Sequence, residues 1–421
     1  MDAGAAAASE PFRWAVGIED TFIPQVRSRT GRVLDEYALT GHYGAWREDL
    51  ALVAETGVRT MRYGIPWYRV NPSPGAFDWR WTDDVLEHMV SDLGITPIID
   101  LVHYGCPLWL EREFVNPDYP QRVADYAAAF AERYRDLVSW YTPLNEPRIN
   151  ARLCGQNGTW PPYLRGERGY VRVMLALARG MSLTVAAVRS AQPAATIVVV
   201  DATEHLVTED PELTDEVALQ LEQQYLATDL VLGRVEDGHP LMPWLAANGA
   251  PTGELDWLRA NRQQIDVLGI NYYPEFSHKT VSRKDGRIRR RRGGGWTAEL
   301  EAIIRHWHRR YDRPAMVTEI STGAPVDARR RWLDASARAV LALRDAGTPV
   351  IGYTWWPLFS LVAWSYRGGR KPMAQYIVHM GLWDLQPGPD GRLLRVRTPV
   401  ADRFTEIVAT GTAAAPTPAA L

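Results

Sequence analysis

The feature that most constrains this chain is an alternation, repeated eight times, of short apolar runs with longer segments of helical periodicity. Runs rich in Val, Ile and aromatic residues predict buried strands, and the segments between them predict helices that cover a parallel sheet. The predicted strands are Trp14–Ile18, Arg59–Ile65, Thr96–His103, Ser139–Leu144, Thr196–Asp201, Asp266–Tyr272, Ala315–Glu319 and Val350–Trp355. The predicted helices are Tyr43–Thr56, Asp83–Asp92, Pro120–Tyr134, Tyr170–Ala191, Asp215–Leu232, Thr297–Tyr311, Asp327–Ala346 and Asp402–Thr410.

Eight such units close naturally into a barrel, so the predicted fold class is α/β, a single (β/α)8 TIM barrel. A doubly wound sheet would need a glycine-rich phosphate turn after its first strand, and the segment from Gly17 to Asp20 does not provide one. Although 421 residues would suggest two or three domains, barrels of this size occur as one unit. We expect residues 1–10 to be flexible, residues 11–410 to form the barrel, and residues 411–421 to be a disordered tail.

Charge and cysteine content restrict the partners and the compartment. The net charge of -3 makes nucleic acid and anionic membranes poor candidates for partners. The N-terminus lacks a signal-peptide pattern, and Cys106 and Cys154 are too few for a disulfide framework, so we expect free thiols in a cytoplasmic protein. The basic run Arg287–Arg292, followed by three glycines, predicts a solvated loop, with a substrate or partner contact as the alternative. The sequence leaves the oligomeric state open.

Two glutamates at the ends of apolar strands carry the predicted chemistry. Glu146 lies between Asn145 and Pro147, and the proline bars Glu146 from the α region, so its side chain is presented at the rim. Glu319 ends the run that begins at Ala315, three strands later. Hydrolysis of a glycoside with retention needs two carboxyl groups only about 5 Å apart, one as acid and one as nucleophile. Strand ends across the mouth of a small barrel can meet that separation.

With these motifs in place, the sequence resembles glycoside hydrolase family 1, whose acid/base motif ends in Asn-Glu-Pro and whose nucleophile follows a threonine. Here the two motifs read Asn145-Glu146-Pro147 and Thr318-Glu319-Ile320-Ser321, and the second departs from the family after the glutamate. Further segments match in the family's order along nearly the whole chain: Arg62-Tyr63-Gly64-Ile65-Pro66-Trp67, His103-Tyr104-Gly105-Cys106-Pro107 and Gly269-Ile270-Asn271-Tyr272-Tyr273.

The resemblance implies a role for each matching residue. Glu146 would be the acid/base and Glu319 the nucleophile, with Arg62 keeping Glu319 ionised and Tyr273 orienting it. The sugar-contacting residues implied are Asn145 and Asn271, His103 and Tyr104, and Trp356 and Trp364, with Trp109 and Trp160 on the leaving-group side. No cofactor is expected, and neither a metal cluster nor a phosphate loop is predicted. The expected ligand is a small-molecule glycoside.

Two departures concern the glycone pocket. Gly17 stands where the family has a glutamine, and Ala363 stands where it has a glutamate before the second tryptophan. Buried hydroxyls without partners cost on the order of 1–3 kcal/mol each, so we expect weak binding of simple glucosides. The two small residues predict extra space for a deoxy, substituted or extended glycone. An anionic glycone near Arg367, Arg370 and Lys371 is a further hypothesis.

The sequence therefore predicts a retaining β-glycosidase with atypical glycone specificity. A transglycosidase that passes the sugar to an alcohol or natural-product acceptor would use the same residues. A sugar-binding barrel without catalysis is a third interpretation, motivated by the lost anchors, although binding alone does not require Arg62 and Tyr273 beside two glutamates.

Overall fold

A computed structural model describes residues 11–413 and contains a closed barrel of eight parallel strands. Around the barrel the strands follow the order β1, β4, β5, β6, β7, β9, β12, β13, and β13 pairs again with β1. These strands are β1 Arg13–Gly17, β4 Thr60–Gly64, β5 Thr96–Asp100, β6 Trp140–Thr142, β7 Thr196–Ala202, β9 Val267–Tyr272, β12 Ala315–Ile320 and β13 Val350–Trp355. The predicted fold class is confirmed. The segments expected to be flexible, residues 1–10 and most of the tail, lie outside the described residues.

Helices of the outer ring follow most strands of the barrel. The helices are α1 Glu36–Thr40, α2 His42–Glu55, α3 Trp67–Val70, α4 Arg80–Glu87, α5 Tyr119–Arg133, α6 Pro147–Asn150, α7 Gly166–Ala191, α8 Thr214–Gln223, α9 Leu226–Val231, α10 Met242–Ala247, α11 Thr252–Ala260, α12 Pro274–Ser277, α13 Thr297–Tyr311, α14 Val326–Asp345 and α15 Pro399–Thr410. Helix α7 is long and apolar enough to cross a membrane, but most of its apolar stretch is buried inside the protein. It is therefore a core helix that packs between the barrel and its neighbours.

Short antiparallel pairs of strands lie outside the barrel. They are formed by β2 Phe22–Arg27 with β3 Arg32–Asp35, β10 His278–Lys284 with β11 Arg287–Arg292, β14 Leu361–Val362 with β15 Ile377–Val378, and β16 Trp383–Pro387 with β17 Leu393–Arg397. Strand β8 His205–Val207 adds to the β10–β11 pair.

The barrel interior is filled by small and branched side chains. Ala15, Val198, Val200, Met316 and Ile351 belong to a buried cluster of their own, separate from the larger core between strands and helices. Filling the interior in this way closes the barrel and leaves its mouth for polar side chains.

Two predicted strands are shorter than expected, since the chain leaves the ladder at the rim. The third predicted strand ends at Asp100 instead of His103, and the fourth ends at Thr142 instead of Leu144. Tyr104 and Glu146 then adopt positive φ values of 61° and 46°. A positive φ is uncommon for residues other than glycine, and it aims both side chains into the mouth of the barrel.

The predicted helix Asp215–Leu232 is wrong as a single element. It is broken into α8 and α9 at Gln224 and Tyr225. The side chain of Gln224 accepts a hydrogen bond from the backbone of Glu204, and Tyr225 is buried with its ring 5.0 Å from that of Trp307. These tertiary contacts override the local helical periodicity.

The basic run predicted to be a solvated loop is instead strand β11, paired in register with β10. The turn between them holds Asp285 and Gly286, with φ values of 52° and 70°. Positive φ at both central residues is what a type I′ hairpin turn requires, and Asp-Gly is a preferred pair for it. The prediction that Arg287–Arg292 is exposed is correct for most of its side chains, but the irregular conformation is wrong.

Both cysteines are buried and free, as predicted. Cys154 donates its thiol hydrogen to the side-chain oxygen of Asn150, 3.4 Å away, and burial raises the pKa of both thiols well above the usual range. Each thiol therefore behaves as a small core side chain and not as a reactive group.

Candidate active site

The two glutamates singled out by sequence lie together at the carboxyl ends of β6 and β12. Glu319 is the second-last residue of β12, and Glu146 follows β6 and precedes Pro147 at the start of α6. Their exposed fractions are only 4% and 6%. The pair thus occupies a nearly dry site, where electrostatic interactions are stronger than in water.

Glu319 is held by a cation and a phenol. Arg62 Nη1 donates to Glu319 Oε1 at 2.5 Å, and the Tyr273 hydroxyl donates to Oε2 at 2.6 Å. Both side chains predicted to support Glu319 therefore contact it. Because each carboxylate oxygen has its own donor, the anionic form of Glu319 is stabilised and its orientation is fixed.

Glu146 is held only by neutral donors. Asn271 Nδ2 donates to Glu146 Oε1 at 2.8 Å, and the Tyr104 hydroxyl donates to Oε2. Tyr104 was predicted as a sugar-contacting residue, so its contact with the acid/base candidate is a role that sequence reasoning missed. The signal was present in the sequence, because a tyrosine with a hydroxyl stands where the family commonly has an aromatic residue without one.

Burial raises the pKa of both glutamates. At Glu319 the nearby Arg62 opposes this effect, and the charge on Glu146 adds to it. Two buried carboxyl groups that repel each other share one proton between them. The cation in contact with Glu319 favours the anionic form of that carboxyl group, and Glu146 has no cation in direct contact.

Arg62 is the centre of the polar network. Besides Glu319 it donates to Asp100 Oδ1 at 3.0 Å and to Asn145 Oδ1 at 2.7 Å. Asp100 is the last residue of β5, fully buried, and sequence reasoning missed it. The strand-end signal that identified Glu319 did not mark Asp100, because the predicted strand ran on to His103. Asp100 anchors the guanidinium, which is otherwise a costly buried charge.

His103 lies between two carboxylates. Its Nδ1 is 2.6 Å from Asp20 and 3.1 Å from Asp100, and its Nε2 is 2.9 Å from the amide nitrogen of Asn145. Burial disfavours a charge on the ring, but Asp20 and Asp100 outweigh it and raise the pKa of His103. Asp20 was also missed, and no pattern in the sequence marked it.

Three of these groups satisfy the distance requirement for a metal ion. Ligand atoms of Asp20, Asp100 and His103 lie within 4.8 Å of one another. However, Arg62 Nη2 is 2.6 Å from Asp100, so a fixed cation already serves this carboxylate. The chemistry of the group therefore suits an ion-paired histidine better than a metal site.

The aromatic residues predicted to contact sugar divide into three sets. The Trp356 ring is stacked on His103 with centroids 5.7 Å apart, and its Nε1 donates to Glu19 at 3.2 Å. Trp160 and Trp364 contact the Tyr104 ring at 5.0 and 5.3 Å. Trp109 instead donates to the backbone of Asn71 and, within residues 11–413, shows no hydrogen bond or ring contact with the side chains gathered here.

The space predicted at Gly17 does not exist. A Cβ added at Gly17 would overlap the indole ring of Trp356, which fills the volume that a side chain at position 17 would need. Trp356 itself is fully buried. The volume of the missing side chain is thus filled by Trp356, whose indole is fixed by Glu19, and Glu19 also accepts a hydrogen bond from Thr21.

The cations considered for an anionic glycone are not equivalent. Arg367 is buried and donates to the backbone of Gln25 and to the Tyr163 hydroxyl at 3.0 Å. Arg370 and Lys371 are exposed. Since Arg367 is committed to the protein itself, the group does not form a pocket for a phosphate.

Comparison with known proteins agrees with this geometry. The family model described as glycosyl hydrolase family 1 matches residues 14–302. A bifunctional β-D-glucosidase/β-D-fucosidase from Bifidobacterium breve is 27% identical over 83% of this chain and 88% of its own length. An aryl-phospho-β-D-glucosidase from Bacillus subtilis is 25% identical over 78% of each chain. The β-glucosidase from Thermotoga maritima in complex with glucoimidazole superposes with a TM-score of 0.81 at 19% identity, over 96% of this chain and 98% of that one.

Proposed function

Since the chain belongs to glycosyl hydrolase family 1 and is an O-glycosyl hydrolase, we propose that Glu319 and Glu146 carry out a retaining double displacement on a β-glycoside. The observation that carries the assignment of roles is the asymmetry of their partners. Arg62 contacts Glu319, while Glu146 has only the neutral donors Tyr104 and Asn271. This arrangement supports an ionised nucleophile beside a protonated acid.

In the first step, a lone pair of Glu319 attacks the anomeric carbon while the bond from that carbon to the leaving oxygen breaks. Glu146 transfers its proton to the leaving oxygen, and a glycosyl ester of Glu319 is formed. In the second step, Glu146, now a carboxylate, removes a proton from water as the water oxygen attacks the same carbon. The ester bond breaks, Glu319 is restored as an anion, and the product keeps the β configuration.

The surrounding residues serve these steps without reacting. Arg62 and Tyr273 keep the two oxygens of Glu319 in place before attack and accept the returning charge afterwards. Asn145 is held by Arg62, close to both glutamates, where it can bind a sugar hydroxyl. A preorganised set of donors of this kind lowers the barrier because it needs no reorganisation during the reaction.

We propose that the glycone is a deoxysugar or a sugar substituted at the positions that the lost anchors would bind. Gly17 and Ala363 carry no polar groups, and Trp356 covers the position of the first anchor with an apolar ring. A sugar without a hydroxyl at that point loses nothing there, whereas glucose would leave one unpaired. The β-D-fucosidase activity in the name of the Bifidobacterium breve relative supports this choice, because fucose is a deoxyhexose.

The test combines a substrate panel with active-site labelling. Aryl β-glycosides of hexoses, deoxyhexoses, pentoses, uronic acids and phosphosugars should show the highest kcat/KM for a deoxyhexoside. A 2-deoxy-2-fluoro analogue of the best sugar should then label Glu319, and Glu319→Gln should abolish both labelling and turnover while the protein stays folded. Labelling of another residue, or a product with inverted configuration, would overturn the mechanism.

Transfer to an acceptor other than water would pass through the same intermediate. Product analysis with excess alcohol distinguishes the two outcomes, because a transglycosidase gives mainly the alkyl glycoside. The intact set of Glu146, Glu319, Arg62 and Tyr273 argues against a sugar-binding barrel without catalysis.

A further inference from the structure

Strands β10 and β11 form a two-stranded ribbon with one face directed to the protein and one to solvent. On the inner face, Val281 is buried and packs with Leu206, Leu213 and Val217, with Ile288 against this cluster. Arg290 pairs with Val281 across the two strands, and paired residues point to the same face of a sheet, so Arg290 also lies on the inner face. The inner face fixes the ribbon on the protein.

The inner-face arginines have acidic or polar partners. Arg290 donates to Gln220 at 2.8 Å and lies 3.4 Å from Glu216, and Arg283 lies 4.0 Å from Glu212. These acceptors come from helix α8 and the turn before it. The charges of Arg290 and Arg283 are therefore explained by the attachment of the ribbon to α8 and the turn before it.

The outer face, which we call the basic face, consists of Lys284, Arg287, Arg289 and Arg291. All four side chains are exposed, and within residues 11–413 none has an ion pair or a side-chain hydrogen bond. Lys284 stands directly opposite Arg287, and the arginines repeat every second residue, about 7 Å apart. Like charges opposite each other destabilise a sheet, so attachment of the ribbon alone does not explain this face.

The ribbon is continuous with the catalytic pocket. The Arg292 guanidinium lies over the exposed Phe276 ring at 5.5 Å, and this ring is 6.3 Å from that of Tyr273. Tyr273 in turn contacts Glu319. Arg292 belongs to the inner face and its neighbour Arg291 to the outer face, and β11 is the edge strand of the sheet. A chain with one end in the pocket can therefore pass over Phe276 and around this edge to the outer face.

We propose that the basic face binds the acidic aglycone chain of the substrate, a glycan that carries carboxylate groups. This inference rests on the proposed function, since it concerns the leaving-group side of the same pocket. Charge complementarity supports it, because four unpaired cations are concentrated on one ribbon of a protein whose net charge is -3. The acidic net charge and the continuity with the pocket favour a substrate chain over nucleic acid.

The experiment compares two variants of equal charge. Arg289→Gln/Arg291→Gln removes two charges from the basic face. Arg262→Gln/Arg309→Gln removes two exposed arginines that make no ion pair or side-chain hydrogen bond within residues 11–413. They lie before β9 and near the end of α13, at the opposite end of the barrel. Oligogalacturonate is the probe, and a neutral malto-oligosaccharide of equal length is the control ligand.

We expect oligogalacturonate to bind the wild-type protein with a Kd that rises with salt, and to raise the KM for a neutral aryl glycoside without changing kcat. The basic-face variant should lose affinity for the probe by about tenfold, since two exposed charge contacts are removed. The opposite-end variant should bind as the wild type does. Both variants should hydrolyse the neutral aryl glycoside at the wild-type rate.

Three results would overturn the inference: equal binding by both variants, binding that leaves the KM unchanged, or duplex DNA of equal charge binding as tightly as the glycan. The failure of the proposed function has a different signature. In that case the wild-type protein would not hydrolyse any neutral aryl glycoside, whatever it binds on the ribbon.

Discussion

Tyr104→Phe isolates the hydrogen bond between Tyr104 and Glu146. The tyrosine ring is 2% exposed and contacts Trp160 and Trp364, and phenylalanine keeps these contacts while it removes only the hydroxyl. The bond is donated to a carboxylate, so it stabilises the charged form and lowers the pKa of Glu146. Hydrogen bonds to charged groups contribute about 1.5–3 kcal/mol, and one pKa unit is about 1.4 kcal/mol. Its loss should therefore raise the pKa of Glu146.

A higher pKa of Glu146 favours the first chemical step, which needs its protonated form, and hinders the second step, which needs its carboxylate. Glu146 must be protonated to release an unactivated aglycone, so the alkaline limb of kcat/KM should move to higher pH. Glu146 must be a carboxylate to activate water, so for a dinitrophenyl glycoside limited by the second step the acidic limb of kcat should also move up. On that acidic limb, kcat for this substrate should therefore fall.

Initial rates from about pH 5 to about pH 10 on the two substrates measure both limbs. Tyr126→Phe is the matched control, because the Tyr126 hydroxyl is buried without a hydrogen-bond partner in residues 11–413 and its ring lies beside Trp67. The reasoning is refuted if Tyr104→Phe leaves the alkaline limb in place or moves it to lower pH.

Three further predictions concern packing and buried charge. Gly17→Gln should displace the Trp356 ring, lower the free energy of unfolding by about 1–3 kcal/mol and reduce kcat/KM, whereas Gly44→Gln, with open space at its Cβ, should leave kcat/KM unchanged. Asp100→Asn removes the anchor of Arg62 and should cost about 3–5 kcal/mol in a denaturant melt, and an unchanged midpoint would contradict this. Burial raises the pKa of Glu113 to about 8, so its native form keeps a proton that the unfolded chain loses above about pH 4.5, and stability falls as pH rises between these values. Glu113→Gln should therefore raise the Tm at pH 8 and have little effect near pH 4, and an equal shift at both pH values would refute the linkage.

The fold, and the gathering of Glu146 and Glu319 at the mouth of the barrel, could be predicted because they depend on local patterns. Eight apolar runs at barrel spacing, and carboxylates that terminate two of them, are readable without any knowledge of tertiary contacts. Arg62 and Glu319 lie on β4 and β12, and Glu146 and Tyr273 lie just after β6 and β9, so the hydrogen bonds of this group follow from its place at the carboxyl ends of the strands. Asp100 escaped the same rule, because the apolar Leu101 and Val102 extend the predicted strand to His103.

The sequence of the β10–β11 ribbon contains a local signal for a hairpin, but its basic composition favoured the prediction of a loop. The run from Arg287 to Arg292 has the composition of a solvated loop, but Asp285-Gly286 between two segments of similar length is a hairpin signal. Val281 and Ile288 then bury one face of the hairpin. A strand of arginines is stable here because the pairing with β10 and the small apolar cluster do not depend on the exposed side chains.

The shape of the glycone pocket could not be predicted from single positions, because each small residue there is matched by a larger side chain that fills the space beside it. Gly17 gives space to Trp356, and Gly64 gives space to Asp20, which then reaches His103. Neither pair is close in sequence, so each glycine by itself predicts a cavity that its partner fills. Neighbours that share one volume are coupled, and their substitutions do not add. Gly17→Gln alone should therefore fail to restore binding of glucose, and recovery requires a simultaneous change that moves the Trp356 ring off His103.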